Sequence, residues 1–436
     1  MRRVQSLAMA LASVELWMAG GAVALSVVSE RFLPWTLVIL SLFWPIRWLA
    51  AGKLSRRTPI DWCLGVLVLI LPITLAITTQ PEITSTQVYR LLSGIGLYYA
   101  MVNHTTSLKQ RWLLPGGMIL VGALLAVSAL VTIDWQLWGL DANTLLPTAF
   151  LAALPLLVSD SVNPNVMAGN LILVLPLALA CLLFLWQHIT WFWRGVLAAW
   201  ALMMIMVIGL TQSAGALAAL GCAVSVLVLF RWHRVWVLIL PMFIVLIVAV
   251  SLVGVNRILD ERTAESRIAY WSRAVSMIED APLTGIGMGT YKTVLRQHYP
   301  FTRDNIPPAW ANQRRPEAYL HAGANHSHNL LLQIAVDLGL PGLIAWLAAF
   351  LLVLVAAWQL YWHGWATNQV WWSALGAGLF ACHIALMTHG LIDSVTWGMI
   401  RPAVLVWGMW GLTIASWQLA GSPLLFQPPA YRQLAG

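Results

Sequence analysis

Two imidazoles stand two residues apart in His326-Ser327-His328-Asn329, directly ahead of the apolar run Leu330–Leu338 and the sequence Gly339-Leu340-Pro341-Gly342. Imidazole is the side chain that takes up and releases a proton near neutral pH. His328 is therefore a candidate general base for activating a hydroxyl group. The spacing predicts a helix over 328–338 with Ser327 or Asn325 as its N-cap, stopped by Gly339 and barred from simple continuation by Pro341. The positive potential of a helix N-terminus favours an uncharged imidazole able to accept a proton. His326 and Asn329 flank this base as candidates to cap, orient or bind.

Other groups can serve the same chemistry from further along the chain. Arg267, Lys292, Arg90 and Arg401 are cations able to hold an anion, although Arg90 and Arg401 could instead snorkel outward and Arg267 pair with Glu261 or Glu265. Asp393 is a carboxylate able to pair with Arg90, Arg401 or His389. His298, His321, His326 and His328 also raise a zinc site, but no cysteine or tight helical histidine pair accompanies them, and neither metal nor other cofactor is expected. In Gly285-Ile286-Gly287-Met288-Gly289-Thr290-Tyr291-Lys292, glycines let backbone N–H groups approach an anion, with a helix starting near Thr290 to add its dipole. The alternative is a turn between two helices. No strand precedes the glycines, which speaks against nucleotide binding.

The elements that must position these groups are apolar. The 436 residues are 60% hydrophobic and 9% charged, with a mean hydropathy of +0.79, whereas soluble chains carry about 25% charged residues. Most of the chain is therefore expected to be solvated by lipid, and the 26 Trp residues suit the headgroup layer. The net charge of +8 lies largely in short connections that set topology, not in a nucleic-acid surface. Cys63, Cys181, Cys222 and Cys382 all fall in apolar runs and read as small core residues. The first apolar run, behind Arg2-Arg3, is too long for a signal-peptide core and is expected to remain as the first span.

A window of about 19 residues marks spans near 7–28, 32–51, 60–79, 84–103, 112–133, 166–187, 191–210, 212–230, 235–254, 342–360, 370–391 and 400–418. The expected fold is thus an all-α integral membrane protein of about twelve transmembrane helices, with a tight turn at Thr211-Gln212-Ser213. Basic residues favour the side of the N-terminus, so both termini are expected in the cytoplasm. The organisation is then 1–254 as spans one to nine, with an outer interfacial segment at 134–165. Residues 255–341 form a large extracytoplasmic helical loop between spans nine and ten, and 342–436 hold the last three spans and a tail. Inside the loop, Thr263–Asp280 is expected to be helical, with Ile268, Trp271, Val275 and Ile278 on one face and a stop at Asp280-Ala281-Pro282. Residues 299–325 are irregular enough to form a lid. Arg47 is expected to snorkel at the cytoplasmic end of its span.

His328-Asn329, nine residues, then Gly339-x-x-Gly342 resembles the motif of the O-antigen ligase and O-antigen polymerase superfamily. Arg267 ahead of Tyr270-Trp271, the stretch Pro282-Leu283-Thr284-Gly285-Ile286-Gly287, Asn163-Pro164-Asn165, and His389-Gly390 followed by Asp393 are similar to further parts of that family. The likeness covers roughly residues 160–420. It implies a C-type glycosyltransferase-like membrane fold and an inverting, metal-independent glycan transferase of the bacterial inner membrane. The implied donor is a glycan on undecaprenyl diphosphate, and the implied acceptor hydroxyl lies on lipid A-core for a ligase or on another lipid-linked repeat unit for a polymerase. The likeness also implies an extracytoplasmic site with His328 as base. Where the family carries Thr-x-Ser-Arg-Gly, an arginine held to bind the diphosphate, this chain has Thr211-Gln212-Ser213-Ala214-Gly215. Arg90, Arg401, Arg267 and Lys292 are the candidates to replace it. Two rivals stand beside the transferase: a transporter of lipid-linked oligosaccharide and a non-catalytic scaffold of envelope assembly.

Overall fold

The computed structural model describes residues 2–104, 111–135, 156, 161–232, 261–302, 324–398 and 401–421. The elements are helical, with no strand among the described residues. The N-terminal half holds α1 (Arg2–Ser13), α2 (Glu15–Val28), α3 (Leu33–Ala51), α4 (Asp61–Ile77), α5 (Pro81–His104) and α6 (Leu113–Thr132). Then come α7 (Pro164–Ile172), α8 (Leu175–Leu185), α9 (Trp191–Leu210) and α10 (Ala214–Arg231). The loop contributes α11 (Glu261–Asp280) and α12 (Tyr291–His298), and the chain closes with α13 (Leu330–Ala366), α14 (Val370–Gly390) and α15 (Val404–Leu419).

Seven of these stretches are long and apolar enough to cross a membrane, and an eighth is added if α1 and α2, bent by 47°, count as one span. The expected third and last spans correspond to the shorter apolar helices α4 and α15, and the fourth to α5, whose Glu82, Gln87 and Arg90 dilute its apolar character. Twelve spans are therefore not what the described helices display. The expected ninth span, most of the 134–165 segment, and residues 303–323 of the expected lid lie outside the described residues.

Burial separates central helices from lipid-facing ones. Among the seven span-length stretches, α7–α8 and α14 are the most enclosed, while most residues of α9 and α10 are at least partly exposed. Such exposure is what lipid-solvated helices require. α14 packs against α8, α10 and α13, and α15 against α5. Asn163 caps α7 by accepting the Asn165 N–H at 2.8 Å, and α9 and α10 meet in the expected tight turn, where Gln212 takes φ 52°. Arg47 does not snorkel. It is buried and paired at 2.8 Å with Glu15, the first residue of α2, so its charge is met within the bundle.

The break in α13 docks the loop onto the bundle. Gly339 takes φ 72°, ψ 178° inside this helix, which separates Val336 O from Leu340 N–H, the pair that an unbroken helix would join. Both groups find loop partners: Ile286 N–H donates to Val336 O at 2.8 Å and Leu340 N–H to Pro282 O at 2.7 Å. Pro341 has no N–H to offer Asp337 O, which instead accepts from Thr74 Oγ1 at 3.3 Å. A Cβ on Gly339 would sit 2.6 Å from the Leu283 carbonyl carbon, and one on Gly285 2.5 Å from Val336 O. Only glycine permits this approach.

Candidate active site

α11 begins and ends close to expectation, but only part of the expected face packs inward, Trp271 reaching His328 and Ile278 lying against the buried cluster. Tyr270, Ala274 and Met277 bury against Tyr291, Val294, Leu295 and Phe301. Ile268 and Val275 stay on the outside, at 61% and 43% exposure. From the packed side, Trp271 Nε1–H donates to the backbone oxygen of His328 at 3.2 Å, and the Tyr270 ring lies 5.9 Å from the His328 ring.

His328 itself is not in the first turn of α13. The N-cap is Asn329, whose side chain accepts the Leu332 N–H at 3.0 Å, and His328 precedes it with φ 54°. That left-handed backbone is strained for a residue with a Cβ and is typical of functional positions. Its consequence is direction: the ring faces the turn after α14 instead of riding on the helix end. Asn329 is committed at both ends of its amide, since its Nδ2 also donates to Leu391 O at 2.9 Å. It ties the histidine segment to the turn that carries Asp393.

In that turn Asp393, only 3% exposed, accepts the Ser394 N–H on Oδ1 at 2.8 Å. The same oxygen lies 3.4 Å from His328 Nδ1 and 3.8 Å from His326 Nδ1. Asp393 thus pairs with the two loop histidines, not with Arg90. Burial alone would raise its carboxyl, but the His328 imidazole beside it and the neighbouring His326 and His389 rings outweigh that and hold it below the usual carboxylate range. His326 is pushed down to about 4, chiefly by burial and further by His328, with Asp393 opposing. Ligand atoms of His326, His328 and Asp393 lie within 4.8 Å of one another, a spread a metal could bridge. His326 Nδ1, however, already accepts the His328 backbone N–H at 3.3 Å, so its lone pair is used within the protein.

The expected cations fall into different surroundings. Arg267 is half-buried on α11 within electrostatic reach of His389, and no ion pair joins it to another described residue. Lys292 is half-buried in the first turn of α12. Arg90 is ion-paired with Glu30 and donates to Gly398 O at 3.3 Å. It lines, with Met288, Thr396, Trp397 and Trp407, a small cleft with room for about 20 Å³. The side chain of Arg401 lies outside the described residues. Ala214 is exposed at the start of α10. A Cβ on its neighbour Gly215 would stand 3.5 Å from the His389 ring.

Residues 199–347 match a family model described as O-antigen ligase. This match supports the likeness to the O-antigen ligase and polymerase superfamily over that segment. The family segment runs from α9 through the 211–215 turn, α11 and the two histidines to just beyond the α13 break. Asp393 and Arg90 lie outside it and reach the site only through folding. No curated protein matches the chain. The family match and the apolar helices together suggest a multi-pass membrane protein of the O-antigen ligase or polymerase type.

Sequence reasoning missed the long-range hydrogen bonds made by Trp271, Gln333, Asp337 and Trp397. The pair Gln333 and Asp337, four apart on one helical face inside an otherwise apolar run, was the signal available, because buried polar groups persist where they are hydrogen-bonded.

Proposed function

We propose that this protein transfers a glycan from a polyprenyl-diphosphate carrier, undecaprenyl diphosphate by family likeness, to an acceptor hydroxyl at the outer face of the inner membrane. The observation that carries the reading is the contact of 3.4 Å between His328, which lies in the family-matched segment, and Asp393, which lies outside it, with Arg267 within electrostatic reach of the adjacent His389. Asp393 on Nδ1 orients the ring and leaves Nε2 to face a substrate, the arrangement by which a carboxylate selects an imidazole tautomer. His328 Nε2 takes the acceptor hydroxyl proton as that oxygen bonds to the anomeric carbon. The bond from that carbon to the phosphate oxygen breaks, and its electron pair leaves with the diphosphate. Displacement from the face opposite the leaving group inverts the anomeric centre. A diphosphate needs charge stabilisation rather than protonation, and Arg267 is the cation placed to supply it. No step in this scheme calls for a metal.

The test is a His328→Ala variant in a strain deleted for the gene, with glycan products weighed by mass spectrometry. Transfer is expected to fall by about 10²–10⁴-fold, the usual worth of a general base, with normal amounts of protein in the membrane. Undiminished transfer would remove the base assignment. The products also decide between the two reactions of the superfamily. Free lipid-linked polymer accumulating in the deletion strain marks a ligase, and single repeat units mark a polymerase.

A further inference from the structure

One buried carboxylate that the mechanism does not use joins three separate loops. Asp337, 1% exposed, lies in the last turn of α13 before the Gly339 break. Its Oδ1 accepts the Gly289 N–H at 3.1 Å and Gln333 Nε2–H at 3.0 Å. Its Oδ2 accepts Trp397 Nε1–H at 2.9 Å. Gln333 passes the link on, because its Oε1 accepts the Ser327 N–H at 2.8 Å. Asp337 is therefore bonded to the glycine turn ahead of α12, to the turn that presents Asp393, and through one amide to the segment that presents His326 and His328. The anion that the glycine turn receives is the chain's own carboxylate.

The residue type follows from donor counting. Three N–H groups converge on one short side chain, and a carboxylate accepts all of them on two oxygens. An asparagine would turn its own NH2 toward one of these donors, and an apolar residue would leave all three unpaired in a buried site. Among the described residues no cation balances the charge. A buried, uncompensated carboxylate is costly and is kept where what it organises is worth that cost.

We infer that Asp337 is the positioning residue of the transferase: it sets the turn carrying Asp393 in register with the segment carrying His328, without touching substrate. The catalytic part of this inference rests on the transfer reaction proposed above; the structural part does not. Hydrogen–deuterium exchange of the full-length protein in detergent micelles, read peptide by peptide, tests it. Asp337→Asn is expected to speed exchange at least about tenfold, the effect of 1.4 kcal/mol, in 285–290, 324–329 and 391–398 together, while 214–231 is unchanged. The single-link variants keep the test alive if Asp337→Asn does not fold. Trp397→Phe is expected to loosen 391–398 alone, and Gln333→Leu 324–329 alone. Uniform loosening, or loosening unrelated to the broken link, would overturn the hub.

Glycan transfer is measured in parallel. Asp337→Asn is expected to lower it at least about tenfold, and its loss should not add to that of Asp393→Asn, because residues acting as a unit are non-additive. Loop loosening with unchanged or fully additive transfer would overturn the catalytic positioning and leave the hub architectural. Should His328→Ala leave transfer intact, the base assignment falls, while the exchange data still decide the hub.

Discussion

Asp337 and Asp393 are both almost fully buried, on the same face of the bundle, and differ in what their oxygens meet. Asp337 meets three neutral N–H donors. Asp393 Oδ1 meets one backbone N–H from its own turn and two imidazole nitrogens at longer range. The first carboxylate can change partners only by breaking bonds worth roughly 1.5–3 kcal/mol each. The second faces groups that change charge, so its interaction strengthens when an imidazole gains a proton. A saturated buried charge holds architecture in place, and an incompletely saturated one beside a titrating ring is equipped for proton transfer.

Three measurements sharpen or break that contrast. The largest effect is expected for Asp393→Asn, which keeps shape and removes charge: transfer should drop about 10²-fold, as an unoriented base loses much of its usual 10²–10⁴-fold worth. Retained transfer would make the two carboxylates equivalent. Next, Arg267→Ala should lower transfer about tenfold through lost stabilisation of the leaving diphosphate, about 1.4 kcal/mol, and more than Lys292→Ala does. Equal losses would remove the specific phosphate contact. The smallest effect is on stability. His326 titrates near 4 in the fold and near 6.5 when unfolded, so the unfolded chain binds the extra proton as pH falls below 6.5. Stability should therefore decline by roughly 2 kcal/mol between pH 6.5 and 5. Asp393, held below its ordinary range, stays ionised in both states across most of this window. Thermal unfolding of wild type against His326→Gln checks it, and an unaltered pH slope in the variant would count against the buried histidine as the cause.

Local physics made part of this molecule readable from its residues. Apolar length marks most of the helices, a proline ends α11 after Asp280, and Gly339 with Pro341 marks the break in α13. These depend on hydropathy and on backbone dihedrals, which neighbours in sequence dictate. The histidine pair, with its spacing to the two glycines, was also visible, and with it the family.

What the fold alone decided are the contacts between residues far apart in the chain. Trp397 and Asp337 are 60 residues apart, Trp271 and His328 are 57, and Gln87 and Arg90 meet Gly398 across the bundle. The direction of the His328 ring belongs here too, because φ 54° is a conformation the local sequence disfavours and surrounding contacts enforce. Periodicity carries no information about such pairs. They form because buried donors and charges must find partners once lipid and packing have excluded water.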